Sequence, residues 1–191
     1  MLGECKIFRF FAKLCFKRGF VLKANIALIC ALDGFNKEVG GKLAGKLDFY
    51  FMDVEDYLQF NMVDPKEVVE KCGVEYLDEL RAKTIAEVAA YYDTVISVNL
   101  DLAMQDGHLK SLQTRCFLVY LGVSEGMLKK IASKEKDEAK KIAMEAALLA
   151  YEARDLRAKQ KCDVVVDASK LDVKNIIKQV EKKVGKLITV G

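Results

Sequence analysis

Five short apolar runs recur along the chain between longer helical stretches, and this alternation restricts the possible folds more than any other feature of the sequence. The runs are Asn25–Ala31, Phe49–Asp53, Thr94–Asn99, Cys116–Leu121 and Asp163–Asp167. Several are almost continuously apolar, which is typical of strands in a parallel sheet covered on both faces. We therefore predict a three-layer α/β fold around a five-stranded parallel sheet.

Helical spacing fills the segments between these runs. After the first run, four apolar residues repeat at helical intervals: Val39, Leu43, Ala44 and Leu47. Residues 73–92 and 126–160 are also helical by pattern and propensity. Residues 128–161, which overlap the second of these segments, carry oppositely charged side chains four positions apart, which predicts a solvated helix.

The composition excludes several classes of protein. Hydrophobic residues make up 52% and charged residues 31%, as in a globular protein, and no apolar stretch approaches the roughly 20 residues that span a bilayer. The net charge of +3 is the difference between 31 basic and 28 acidic residues, so we expect no nucleic-acid partner. The six cysteines form no C-x-x-C pair and His108 is the single histidine, so we expect free thiols, a cytoplasmic protein and no metal site.

Residues 1–23 form a basic N-terminal extension ahead of the first predicted strand. On a helix, Lys6, Arg9, Lys13 and Lys17 share one face, and Phe8, Phe11 and Leu14 belong to the other. Such a helix can bind a partner protein or an anionic membrane surface, can serve as an organelle address, or can pack on its own domain. We expect the globular domain to occupy residues 24–186, followed by a tail at 187–191.

The loop after the first run stands where a P-loop kinase carries GxxxxGK[ST]. In that motif, backbone N–H groups close around the phosphates, the lysine neutralises them, and the final hydroxyl binds Mg²⁺. Here the corresponding segment is 30–37, CALDGFNK, followed by Val39-Gly40. At this point the chain resembles the shikimate kinase family, which belongs to the nucleoside-monophosphate-kinase-like P-loop NTPases and acts in aromatic amino acid biosynthesis.

The resemblance extends from about residue 24 to 184 through short segments in the family's order. These segments are NIALI at 25–29, VGGKLAGKL at 39–47, FMDVED at 51–56, GVEYLDEL at 73–80, FLVYLGVSEGMLKKI at 117–131, and RDL at 154–156 followed by CDVVVDAS at 162–169. The last pair resembles the family's R-x-P-L-Y element and final strand. The resemblance implies a P-loop kinase fold over nearly the whole domain.

The residues that hold ATP in the family are replaced in this chain. On the family's motif, Cys30 and Phe35 replace the two glycines, Asn36 takes the lysine position, and Lys37 takes the hydroxyl position. A phenylalanine hinders the close approach of backbone to phosphate. A one-residue shift would place Lys37 on the lysine position and Glu38 on the hydroxyl position instead. On either alignment, Gly34, Asn36, Lys37 and Glu38 are the nucleotide-site candidates.

Positions that bind the acceptor and the transferring phosphate also differ. The acceptor loop after the third strand, at about 98–101, has no glycine, and Asp78 stands where an acceptor-binding arginine is expected. The segment 117–153, which covers the family's mobile lid, contains no arginine. Since phosphoryl transfer depends on positioning and charge stabilisation, these changes affect the main catalytic terms.

Three family positions are retained. Asp53 matches the first carboxylate of the family's D-x-D pair, which is catalytic, and Glu55 matches the second; Arg154 matches the arginine that binds the acceptor's carboxylate. Each can alternatively form an ordinary surface ion pair. Lys37 can place its ammonium where Mg²⁺ would lie, or it can be a first-turn surface lysine.

Together these features predict a shikimate-kinase-like protein with weak or no ATP phosphotransfer that acts by binding a ligand or partner. The ligand would be a small anionic metabolite or a nucleotide. The alternative is an active kinase that phosphorylates shikimate or a related hydroxyl compound and requires ATP and Mg²⁺. A third hypothesis is a docking protein that uses residues 1–23 to bind a partner or a membrane surface.

Overall fold

The computed structural model describes residues 23, 25–61 and 64–190. The predicted basic helix within residues 1–23 lies outside the described residues except for Lys23. The ammonium of Lys23 binds the carboxylate of Asp163 at 2.7 Å and lies over the ring of Phe117. The described chain therefore enters the domain beside the starts of its fourth and fifth strands.

The predicted five-stranded parallel sheet is confirmed. Its strands are β1 (Asn25–Cys30), β2 (Tyr50–Asp53), β3 (Thr94–Asn99), β4 (Cys116–Gly122) and β5 (Val164–Asp167). They are arranged in the order β2-β3-β1-β4-β5, and every neighbouring pair is parallel. All five carboxyl ends therefore lie along one edge of the sheet, where ligands bind in open α/β folds.

Ten helices connect and cover the strands in the described part of the chain. They are α1 (Asp33–Leu47), α2 (Val54–Phe60), α3 (Pro65–Cys72), α4 (Val74–Ala90), α5 (Leu100–Ala103), α6 (Asp106–Arg115), α7 (Glu125–Ala132), α8 (Glu138–Leu149), α9 (Tyr151–Lys161) and α10 (Val173–Val190). The last helix extends into the segment 187–191 that we expected to form a tail.

The core is centred on β1, in which all six residues are buried. Because successive side chains of a strand point to opposite faces of the sheet, this burial requires cover on both faces. Helices α1 and α10 pack against each other and on the sheet, while α4 packs against α6. A buried side chain, Asn25, supports this packing: its amide donates to the carbonyls of Ala89 and Tyr91 at the end of α4.

The prediction of one solvated helix over 128–161 is wrong. The segment forms the end of α7 and the helices α8 and α9, with breaks at residues 133–137 and at Ala150. Its side chains are also not uniformly solvated, since Tyr151 and Ala158 are buried and Leu148 packs against the core. Alanine and paired charges favour helix along the whole segment, so the local pattern did not reveal these breaks.

Two further findings concern the described residues. No helix among them is long and apolar enough to cross a membrane. Their cysteines are free thiols: Cys30 and Cys116 are buried, Cys162 is half-buried and Cys72 is exposed. Burial raises the pKa of the Cys30 thiol to about 12, which keeps it protonated and unreactive near neutral pH.

Gly40 and Gly41 provide a matched test of the packing between α1 and β2. A methyl group on Gly40 would overlap the ring of Phe51, whereas a methyl group on the exposed Gly41 would meet open space. We expect Gly40→Ala to lower the free energy of unfolding by about 1–3 kcal/mol through overpacking. Gly41→Ala should raise it by up to about 1 kcal/mol because alanine favours helix.

Urea denaturation followed by circular dichroism measures both changes. Equal effects of the two substitutions would contradict the close packing of α1 on Phe51.

Candidate functional site

An open cleft of about 710 Å³ lies at the carboxyl edge of the sheet. Its charged lining consists of three acidic and three basic side chains: Asp33, Glu55, Asp101, Arg81, Arg154 and Arg157. Amide side chains add hydrogen-bonding groups, and these belong to Gln59, Asn99 and Gln105. A concave site at this edge with a few convergent polar groups has the form of a small-molecule site.

The segment aligned with the phosphate loop is largely helical. Strand β1 ends at Cys30 and α1 already begins at Asp33, so two residues connect them. The N–H of Asn36 donates to the carbonyl of Leu32 at 2.8 Å, which is a helical hydrogen bond. Backbone N–H groups from Asn36 onward are therefore used inside the helix.

Asp33 places a carboxylate in the first turn of α1. It accepts a hydrogen bond from the side-chain amide of Asn99 at 2.7 Å. The pKa of Asp33 is raised overall. Partial desolvation is the largest cause and the nearby charge of Asp53 adds to it, while the hydrogen bond from Asn99 acts in the opposite direction. The positive end of the α1 dipole thus already faces an acidic group of the chain itself.

The side chain of Asn36 points into the sheet. It is fully buried, and its amide nitrogen donates to the carbonyls of Leu28 at 3.0 Å and Val98 at 3.2 Å. Its buried side-chain oxygen has no hydrogen-bond partner among the described residues. Asn36 therefore links α1 to β1 and β3, and its side chain does not line the cleft.

Lys37 lies between two carboxylates at the end of β2. Its ammonium is 2.6 Å from Oδ1 of Asp56 and 3.2 Å from Oδ1 of Asp53. Partial desolvation lowers the pKa of Lys37, but the interactions with Asp56 and Asp53 together raise it by more, so the net shift of the pKa is upward. Asp53 is also the N-cap of α2, because Oδ1 accepts from the N–H groups of Glu55 and Asp56.

The other two nucleotide-site candidates are exposed on α1. Gly34 lies in the first turn with open space around it, so no neighbouring atom requires a glycine there. Glu38 forms an ion pair with Lys42 at 2.6 Å, one turn along the same helix. Neither residue lines the cleft, and of the four candidates Lys37 alone contacts Asp53.

Two half-buried ion pairs line the cleft. Nε of Arg81 donates to Oε1 of Glu55 at 2.9 Å. The guanidinium of Arg154 lies 2.7 Å from Oδ1 of Asp101. Partial desolvation raises the pKa of Asp101, while the charge of Arg154 lowers it. The structure thus brings the predicted residues Glu55 and Arg154 to the same cleft.

Arg81 is a cleft residue that the sequence analysis missed. The family position for an acceptor-binding arginine holds Asp78, and Arg81 follows one helical turn later on α4. Residues three apart lie on the same face of a helix, so a shift of one turn returns a guanidinium to the same surface. The carboxylate of Asp78 lies 3.7 Å from that guanidinium. The i,i+3 spacing was the signal that could have found Arg81.

An apolar layer covers the segment that follows β1. Ala31 and Leu32 line a small cavity of about 60 Å³ together with Leu128 of α7 and three residues of α8, Met144, Ala147 and Leu148. The hydroxyl of Tyr151 donates to the carbonyl of Val123 and lies 3.1 Å from that of Tyr120. These contacts fix the α8–α9 junction over the end of the sheet.

Tyr120 completes a buried polar network beneath that layer. Its hydroxyl donates to Oδ1 of Asp155 at 2.7 Å, and Lys159 pairs with the other oxygen at 2.5 Å. Burial raises the pKa of Tyr120, and its hydrogen bonds to Tyr151 and Asp155 raise it further. The phenol is therefore neutral at physiological pH and acts as a donor that ties α9 to β4.

The strand order, the crossover helices and the cleft position define the class as a P-loop-kinase-like α/β domain. A model of the shikimate kinase family, described as "Shikimate kinase", matches residues 37–185. This match extends over most of the chain, which therefore belongs to the shikimate kinase family. A comparison with curated proteins gave no match.

Solved structures have the same fold. The shikimate kinase of Bacteroides thetaiotaomicron is 18% identical, with a TM-score of 0.70 over 85% of this chain and 98% of that chain. The shikimate kinase of Acinetobacter baumannii, solved in complex with shikimate, is 15% identical, with a TM-score of 0.71 over 88% and 97%. A gluconokinase of Sinorhizobium meliloti is 14% identical, with a TM-score of 0.51 over 87% and 94%.

Asn36 and Asn175 allow a test of the buried link between α1 and the sheet. Asn36→Ala removes the donors to Leu28 and Val98, so we expect the free energy of unfolding to fall by about 1–3 kcal/mol. Asn175→Ala, at an exposed position of α10, should change it by no more than about 0.5 kcal/mol. Chemical denaturation measures both values. Equal effects would contradict the structural role of Asn36.

Proposed function

We propose that this protein binds a small hydroxylated carboxylic acid of the shikimate class in the cleft and transfers phosphate from ATP weakly or not at all. One observation carries the proposal. The acceptor side of the cleft holds Arg81, Arg154 and Glu55, whereas on the nucleotide side α1 starts at Asp33 and the side chain of Asn36 is buried in the sheet.

The acceptor side is suited to a hydroxy acid. An arginine can bind a carboxylate through two parallel hydrogen bonds, and Arg81 of α4 and Arg154 of α9 line this cleft from different helices. Glu55 can accept hydrogen bonds from ligand hydroxyls, and the amides of Gln59 and Asn99 can both donate and accept. Because both arginines already form ion pairs within the protein, a ligand carboxylate would bind by sharing or displacing these acidic partners.

The nucleotide side is poorly suited to a triphosphate. The position of the phosphate-binding lysine holds the inward-pointing Asn36, and Asp33 presents a carboxylate at the start of α1. Removal of one cationic contact to a transferring phosphoryl group costs about three to five powers of ten in rate, judged from arginine fingers. The start of the family match at residue 37, after this segment, supports the same conclusion.

Family membership implies Mg²⁺ for an active enzyme, but the residues present do not fit that ion. The position of the metal-binding hydroxyl holds Lys37, whose ammonium lies within 3.2 Å of Asp53. The ammonium of Lys37 supplies a positive charge beside the carboxylates of Asp53 and Asp56.

A binding experiment with a matched arginine control tests the acceptor side. We expect calorimetry to detect shikimate binding to the wild-type protein. Arg154→Met should weaken binding at least tenfold because it removes a charge-assisted pair. Arg115→Met, at an exposed position of α6 away from the cleft, should leave the affinity unchanged. Failure of shikimate and related hydroxy acids to bind the wild-type protein would overturn this proposal.

An ADP-release assay with shikimate and Mg²⁺-ATP separates the proposal from the alternative of an active kinase. We expect at most a trace of release above the rate without shikimate. Shikimate-dependent turnover well above a trace that disappears in Asp53→Asn would establish the kinase and refute weak or absent phosphotransfer.

Lys37→Ala tests whether the ammonium takes the place of a metal. We expect the melting temperature of the wild-type protein to be the same in Mg²⁺ and in EDTA. Without the ammonium, Asp53 and Asp56 repel each other, so Mg²⁺ should raise the melting temperature of Lys37→Ala by about 2–4 °C for each kcal/mol of binding. Lys42→Ala, whose ammonium pairs with Glu38 instead, is the control. Mg²⁺-dependent stabilisation of the wild-type protein would contradict this interpretation.

A further inference from the structure

Arg157 is a third arginine in the cleft, one helical turn after Arg154 on α9. In the family's R-x-P-L-Y element, aligned on Arg154, the position of Arg157 carries leucine. Arg157 is therefore not one of the acceptor-binding residues that this chain retains from the family. Because residues three apart on a helix have Cβ atoms roughly 5–6 Å apart, the two guanidinium groups can reach different groups of one small ligand.

The ion pair of Arg157 is more exposed than those of the other cleft arginines. Its Nη2 binds Oδ1 of Asp106, whose side chain is 91% exposed. By contrast, the partners Glu55 and Asp101 are 32% and 39% exposed. Solvent screens an exposed pair, so it contributes little to stability and yields readily to a competing anion.

Arg157 also has unused hydrogen-bonding capacity. Its Nε is buried and has no hydrogen-bond partner among the described residues. A guanidinium carries five N–H donors, and within the described part of the chain this one makes one hydrogen bond, to Asp106. An anion that replaced Asp106 could engage two donors in parallel, which is the geometry that guanidinium groups form with phosphate.

We infer that the cleft takes a hydroxy acid with a second anionic group, a phosphate ester, and that Arg157 binds this phosphate while Arg81 and Arg154 bind the carboxylate. This inference rests on the proposed function and names the ligand class of that same cleft. It involves no phosphoryl transfer. The carboxylate of Asp33 disfavours a phosphate at the start of α1, whereas Arg157 places a cation beside α6.

Calorimetry with shikimate, shikimate 3-phosphate and inorganic phosphate tests the inference on the full chain. We expect the wild-type protein to bind the phosphate ester at least tenfold more tightly than shikimate. Arg157→Met should remove this preference and leave shikimate affinity unchanged, and the exposed Arg115→Met should change neither. Asp106→Asn removes the competing carboxylate, so it should tighten binding of the ester alone.

The outcomes separate this inference from the proposed function. If the wild-type protein binds shikimate, and binds the ester no more tightly than shikimate, the proposed function stands and the phosphate site is refuted. Equal losses for both ligands in Arg157→Met would also refute it. A dicarboxylate of similar size that binds as tightly as the ester would refute the assignment to phosphate. If only inorganic phosphate binds, or nothing binds, both proposals are overturned.

Discussion

The buried side chain of Asn36 holds the start of α1 against the carboxyl ends of β1 and β3. Its amide bonds the carbonyls of Leu28 and Val98, and these strands are the centre of the sheet. Because only two residues separate β1 from α1, the position of Asp33 and the direction of Lys37 follow from this link. An interaction that stabilises the fold thus also determines which groups face the ligand edge.

Most of the charged side chains at that edge are paired within the protein. The ammonium of Lys37 contacts both Asp53 and Asp56 and offsets one of their two negative charges, while Arg81 and Arg154 pair with Glu55 and Asp101. Desolvating the walls of a cleft costs less free energy when their charges are paired than when they are isolated, but a ligand must then compete with the internal partners. The selectivity for ligands therefore depends on which internal ion pair a ligand displaces most easily, and the pair most exposed to solvent is displaced first.

The fold and part of the site could be predicted from the sequence. Apolar runs specified the strands because buried parallel strands have a local signature, and the matched positions of Glu55 and Arg154 brought both to one cleft. The breaks at residues 133–137 and Ala150 were missed because helix propensity is nearly uniform there. Arg81 was missed because a position-by-position comparison does not consider the next helical turn.

The sequence by itself determined the class of fold, the five strands and the residue types available at the ligand edge. The strands and the fold class depend on hydrophobic patterning, which acts over a few residues, whereas the candidate residues at the ligand edge came from the resemblance to the family's motifs. Only the tertiary structure decided that Asn36 turns inward, that Lys37 sits between Asp53 and Asp56, and that Arg157 shares a cleft with Arg81. Those outcomes arise from contacts between residues distant in the chain, whose geometry exists only once the helices have packed on the sheet.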